Sequence, residues 1–309
     1  MDFKKLFYLS QIFFLVCFSC SSLSAQEYRI ETKNVQQLYQ FLGWKPNQKP
    51  LISAHRGGPV NNFPENCIAT FAHTLSISPA LIECDIMMTK DSIAVMMHDK
   101  TLDRTSNGKG KITEYIWASL DTLKLKNNQG KITEYEIPTL EEVLQWAKGR
   151  TILKLDVKKN FPASKLVSLI RKHQVEASVV IITYNNEDAL LYHQLAPDLM
   201  LSISPRNIEE VKELFDAGIK PQKLIAFVGV DSCDIELVNF LHQKGISCIL
   251  GTMRQIDAEA LSSGYKAYIP FLTEQKIDVL ATDQPKLAEE AIQSMENTDN
   301  KRKKYIKYQ

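Results

Sequence analysis

The chain has almost no net charge: Lys and Arg total 37 and Asp and Glu 36 among 309 residues. A nucleic-acid-binding protein usually carries a basic excess, so no nucleic-acid partner is expected. Cysteine is sparse. Of six cysteines, Cys17 and Cys20 fall in the N-terminal leader. Cys67, Cys84, Cys233 and Cys248 follow no zinc-ligand spacing and read as small buried hydrophobes. There is no internal repeat and no Pro- or Ser-rich linker that would divide the chain. A comfortable bilayer-spanning run is missing too. The apolar stretch LFYLSQIFFLVCF follows MDFKK and precedes the small residues SCSSLSAQ, which is the three-part pattern of an export signal.

That leader covers residues 1–25 and would be cut after Ala25, or before Cys20 to give a bacterial lipoprotein. The expected location is therefore the periplasm or the outer membrane, with membrane contact only through a lipid on Cys20. Residues 26–49 read as a helical lead-in, centred on NVQQLYQFLG. The terminal KRKKYIKYQ lies in a basic segment, 296–309, that reads as a mobile end.

Between these ends, apolar strand-like runs alternate with amphipathic helical patterns. The runs are 51–57, 80–88, 93–99, 152–158, 178–184, 199–204, 223–229, 247–253 and 278–283. Alternation of this kind predicts a parallel sheet. Runs 80–88 and 93–99 are joined by only Thr89-Lys90-Asp91-Ser92, too short for a parallel crossover, so they should form an antiparallel hairpin. Eight parallel strands remain. Residues 50–295 are thus expected to form a single-domain (β/α)8 TIM barrel with a hairpin excursion after the second strand. A doubly wound open sheet is the alternative. The connection 100–137, with a short helix near 113–123, should sit over the barrel mouth.

In such barrels the chemistry gathers at the C-terminal ends of the strands. His55 and Arg56 end the first run, His98 and Asp99 the hairpin partner, Asp156 and Lys158 the next, and Thr282 and Asp283 the last. Residues two apart in a strand share a face, which puts Glu83 with Asp85, and Lys154 with Asp156 and Lys158. Confined carboxylates call for a cation, and carboxylate oxygens select a hard one such as Ca²⁺ or Mg²⁺. Two imidazoles can take and give protons near neutral pH. With an Arg, a Lys and a hard cation beside them, they suit a phosphodiester.

The stretches AHRGGPVNNFPENCIATF, IECDIMMTKDSIAVMMHDKTLDRTSNGKG, IPTLEEVL, LKLDVK and VLATDQP together resemble the glycerophosphodiester phosphodiesterase family. The likeness runs from about residue 50 to 295. It implies a β/α barrel that hydrolyses a small-molecule glycerophosphodiester to an alcohol and glycerol 3-phosphate with one divalent cation. It also implies roles. Glu83, Asp85 and Asp156 would ligate the metal. His55 would be the general base and His98 the general acid. Arg56 and Lys158 would hold the phosphate, and Glu65 would orient the first loop or assist near the metal. The family's glycerol hydroxyl would attack phosphorus first, giving a cyclic phosphate that water opens. Asp156 departs from the family's usual Glu. Gly251-Thr252 replaces its Trp-Thr, which is expected to open the mouth. Phosphodiesterases acting on whole lipids, of phospholipase C or sphingomyelinase D type, are the nearest alternative. They would want an apolar rim. A non-catalytic phosphate- or sugar-binding barrel is the other.

Overall fold

The structure is a computed structural model and describes residues 26–158, 161–295 and 301–309. The predicted leader lies outside the described residues, as do 296–300 of the tail. Among the described residues no helix is long and apolar enough to cross a membrane.

Strand β1 (Tyr28–Ile30) and helix α1 (Val35–Leu42) lead in. Asn34 caps α1 by accepting from the Gln37 amide, the side-chain cap that such residues favour. The barrel follows: β2 (Leu51–Ala54), α2 (Ile68–Ile77), β3 (Leu81–Met88) and β4 (Ala94–Met96). The strands β5 (Lys124–Lys126) and β6 (Ile132–Glu136) form a separate hairpin before α3 (Leu140–Ala147). Then come β7 (Leu153–Val157), α4 (Ala163–His173), β8 (Val179–Ile182), α5 (Asn186–Leu195), β9 (Met200–Ile203) and α6 (Ile208–Asp216). The circuit ends with β10 (Leu224–Val230), α7 (Ile235–Gln243), β11 (Cys248–Gly251), α8 (Gln255–Ser263), α9 (Ile269–Thr273), β12 (Val279–Thr282) and α10 (Pro285–Ser294). Strand β13 (Ile306–Tyr308) closes the chain.

The parallel strands run β2-β12-β11-β10-β9-β8-β7-β3, and β2 pairs with β3 to close the ring. Closure excludes the open-sheet alternative. Strand β4 pairs antiparallel with β3, Met87 opposite Val95, as the short connection required.

Alternation along the strands builds two cores. Ile82, Cys84, Ile86, Leu153 and Leu155 point outward against the helices. Leu51, Leu81, Ile152, Val180, Met200, Ile225, Ile249 and Val279 form an inner layer with Leu38, Phe41 and Leu42 of α1, so the lead-in helix plugs the base of the barrel. Each such side chain taken from water stabilises by about 1.5–3 kcal/mol. Stepping up the same inward faces from Leu81 gives Glu83 and Asp85, and from Ile152 gives Lys154 and Asp156. The plugged base therefore obliges the polar residues above it to face the mouth. Cys67, Cys84 and Cys248 are buried and Cys233 half-buried, all as free thiols.

Two expectations change. The connection 100–137 holds short 3₁₀ turns at Ile112–Glu114 and Trp117–Ser119 in place of one helix. It has its own small core around Leu102, Ile112, Leu120 and Leu125. Residues 301–309, read as a mobile basic end, are built into the fold. β13 pairs antiparallel with β1, Arg29 opposite Lys307. Tyr305 is buried and donates to Gln40. Arg302 is 2% exposed and donates to the carbonyls of Phe41 and Lys49 at 2.7 Å each. The cationic side chains hid a segment that clasps the plug helix. Arg302→Ala should therefore lower unfolding stability by about 3 kcal/mol, since hydrogen bonds from a charged group are lost and two carbonyls are left bare. Urea denaturation would read this, and an unchanged midpoint would refute the clasp.

Candidate active site

The turn after β2 shows why His-Arg-Gly-Gly stands where it does. Arg56 has φ 51°, and Gly57 and Gly58 have φ 87° and 75°. A Cβ on Gly57 would lie 2.3 Å from Phe71, and one on Gly58 2.4 Å from Pro285. Only glycine meets both demands cheaply. The strained turn aims the Arg56 N–H at Glu83 Oε2, 2.7 Å away, and the Arg56 guanidinium Nε at Asp85, 3.6 Å away.

Three carboxylates meet at the mouth. Glu83, Asp85 and Asp156 each offer an oxygen within 4.8 Å of the others, and all three are buried. Asp85 accepts from Asn66 Nδ2 at 2.7 Å, while its own N–H donates to Asn66 Oδ1 at 2.8 Å. Pro64-Glu65-Asn66 thus locks the loop to β3. Lys158 Nζ lies 2.5 Å from both Asp85 and Asp156. Tyr184 donates to Asp156 Oδ2 at 2.8 Å, whereas Asp156 Oδ1 is buried with no hydrogen-bond partner. Burial, then the charge of Asp85, pushes Glu83 up to about 7. Below them Lys154 is buried, and burial pushes it down to about 8 against the pull of Glu83 and Asp156. An unpartnered carboxylate oxygen and a carboxyl resisting ionisation are what a divalent cation relieves. The donor set, all oxygen, fits a hard ion. Asp156, expected to fall short, reaches this cluster.

Both histidines are held from behind. His55 Nδ1 sits 2.8 Å from Asp283 Oδ1, and His98 Nδ1 sits 2.7 Å from Asp99 Oδ1. An Nδ1–H bond to a carboxylate fixes the tautomer and leaves Nε2 to act on substrate. Burial works against the His55 imidazolium, but the Asp283 hydrogen bond and the Glu83 and Asp283 charges outweigh it, and its pKa lies above 6.5. Asp283 is itself fixed. Its N–H donates to Asp257, a carboxylate that also accepts from Thr282 and Tyr268. On the other side Arg104 donates to Asp99 and in parallel to both oxygens of Glu65, at 2.8 Å, and the Arg104 bond holds Asp99 well below the usual carboxylate range.

His55, Arg56, Glu83, Asp85, His98, Asp156 and Lys158 therefore converge as expected. Glu65 stands beside Arg56. It is a buried anion bound by Arg56 and Arg104, so it orients the first loop and Arg56. Asp99 and Asp283 stood out in the sequence as polar strand ends without a task, Asn66 only as part of the loop motif, and Arg104 not at all. The i+1 spacing of His98 and Asp99 was the one local signal. At Gly251 a Cβ would meet Phe227, Val230 and Met253 at 3.0–3.3 Å. Val230 and Met253 wall a cleft with His55, Arg56 and Asp283, and Asn128 reaches that cleft from the β5–β6 turn. The 100–137 connection thus does cover the mouth.

Residues 55–287 match the model of the glycerophosphoryl diester phosphodiesterase family. A glycerophosphoryl diester phosphodiesterase structure from Parabacteroides distasonis superposes with a TM-score of 0.86 at 35% identity, covering 92% of this chain and all of that one. The glycerophosphodiester phosphodiesterase of Caldanaerobacter subterraneus subsp. tengcongensis is 32% identical over 162 residues, half of this chain and 66% of the relative. At 22% identity and a TM-score of 0.62, a phosphodiesterase of Oleispira antarctica solved with sn-glycerol-3-phosphate shares the fold. With barrel, strand-end carboxylates and relatives in agreement, the chain belongs to the glycerophosphoryl diester phosphodiesterase family of enzymes.

Proposed function

We propose that this protein hydrolyses glycerophosphodiesters to an alcohol and sn-glycerol 3-phosphate by two-histidine general acid–base catalysis. The observation that carries the reading is the pair of carboxylate-held imidazoles on the two sides of one acidic cluster. His55 feels the charge of Glu83, and His98 acts on Asp85. Glu83, Asp85 and Asp156 would hold one divalent cation, Ca²⁺ or Mg²⁺, which supplies fixed positive charge against that building on the phosphoryl oxygens. Arg56 and Lys158 bind the same oxygens, and Glu65 keeps Arg56 in place. His55 takes the proton of the glycerol 2-hydroxyl as its oxygen attacks phosphorus. The bond from phosphorus to the headgroup oxygen breaks, and that oxygen takes a proton from His98. Water then opens the cyclic phosphate with roles reversed: His98 accepts the water proton, and His55 returns one to the 2-oxygen. The N-terminal export pattern belongs to this reading as a proposal, with diesters met outside the cytoplasm.

The test is a panel of glycerophosphocholine, -ethanolamine, -inositol and -glycerol beside intact phospholipid and sphingomyelin, each with Ca²⁺, Mg²⁺ or excess chelator. Glycerol 3-phosphate should appear from the deacylated diesters and vanish with chelation. Cleavage of intact lipids alone, or full rates in chelator, would overturn it.

Asp283→Asn gives a sharper reading of His55. The bond from Asp283 raises the imidazole pKa, so its loss lowers that pKa and the base stays neutral to lower pH. The acidic limb of the kcat/KM profile should move down in pH while its plateau drops about 10- to 100-fold from lost orientation. An unmoved limb would mean that another group titrates there.

A further inference from the structure

A cavity of about 650 Å³ opens beside the carboxylate cluster, between the ends of β7 and β8 and the start of α5. Its wall includes Asp156 and Lys158 from the catalytic centre, then Phe161, Tyr184, Tyr192 and Asp188. The mechanism above uses only the first two. Tyr184 links the two regions: its hydroxyl holds Asp156, yet the residue is 62% exposed, so much of it is left to the cavity. The Phe161 N–H donates to the Lys158 carbonyl. Asp188 is fixed by the Asn185 cap. The Asn185 amide donates to its carboxylate at 2.9 Å, and the Asp188 N–H donates back at 2.8 Å. Among the described residues no Lys, Arg or His forms an ion pair with Asp188. Tyr192 lines the same cavity as Asp188.

We infer that this cavity is a headgroup subsite for a quaternary ammonium, so that the favoured substrate is a zwitterionic choline-type glycerophosphodiester. The inference rests on the proposed function and names its substrate class. Three aromatic side chains and a carboxylate with no cationic partner among the described residues are the chemistry that recognises a bulky, weakly hydrated cation. A primary ammonium asks instead for several acceptors, and a neutral polyol for paired donors and acceptors. One wall carries the Lys158 ammonium for the phosphate and another the Asp188 carboxylate. The cavity thus matches both charges of a zwitterion. Its size lies within that of small-molecule sites.

The experiment measures kcat/KM for glycerophosphocholine and glycerophosphoglycerol on the full enzyme, and binding of tetramethylammonium chloride by saturation-transfer NMR at constant ionic strength. The wild type should prefer the choline diester and bind tetramethylammonium. Asp188→Asn should cut the choline-to-glycerol ratio about tenfold, mainly through KM, and weaken tetramethylammonium to match. Phe161→Leu, in a half-buried loop, should do the same to a smaller degree and serves if Asp188→Asn unfolds. Equal rates on both diesters, or tetramethylammonium binding indifferent to both variants, would overturn the subsite while leaving diester hydrolysis intact. Hydrolysis of neither diester, with tetramethylammonium binding still dependent on Asp188, would support the cation site and overturn the diester reading.

Discussion

Replacing His98 or His55 by alanine should each lower kcat/KM about 10³-fold, within the range of positioned acid–base groups, and leave the fold intact. Neither ring is part of a core: both side chains are partly exposed, and each loses one bond, to Asp99 or to Asp283. A surface pair of this kind contributes about 1 kcal/mol at most, and Asp99 keeps Arg104 as partner. The two variants should part company on the leaving group. A nitrophenyl diester departs without a proton, so its release by His98→Ala should approach the wild-type rate. His55→Ala should stay slow, because the attacking hydroxyl still needs a base. The double variant should fall little further than the worse single one, since the residues act in one step. If both single variants respond alike to the nitrophenyl substrate, the acid and base assignments are wrong.

Strand positions were legible because parallel-barrel strands are short apolar runs with side chains of fixed alternation. That alternation alone put Glu83 with Asp85 and Lys154 with Asp156. What stayed hidden were pairings across the ring. Asp283 lies 228 positions from His55, and nothing in VLATDQP says which imidazole it faces. Tyr184 meets Asp156 only because β8 lies beside β7. Arg104 sits in a polar loop, where a guanidinium is ordinarily solvated. The terminal segment misled for a related reason. Its lysines dominate its composition, whereas Arg302 and Tyr305 decide its position through contacts with α1, more than 250 positions away.

Glu83→Gln should lose metal and activity yet leave the metal-free protein no less stable. Glu83 is buried with two other carboxylates, and its pKa near 7 reflects first the loss of water and then the Asp85 charge. Gln is isosteric, keeps an acceptor for the Arg56 N–H, and removes a charge the fold does not favour. In excess chelator its melting temperature should equal or exceed the wild type's. With divalent ion the wild type should rise and the variant stay flat, since only an ion bound to the native state stabilises it. kcat/KM should fall about 10³-fold, the scale of several kcal/mol of lost charge stabilisation. Asp85→Asn makes the contrast. Burial raises the Asp85 pKa, but the Lys158 ammonium outweighs it and the net shift is down. Asp85 carries Lys158 at 2.5 Å and Arg56 at 3.6 Å while 1% exposed. Its loss breaks a buried ion pair, so this variant should be destabilised by about 3 kcal/mol even in chelator. Opposite stability signs with the same loss of turnover are expected of one carboxylate held for the ion and another shared with the fold. A Glu83→Gln protein that melts early in chelator, or that still binds divalent ion at wild-type affinity, would refute the assignment of this cluster.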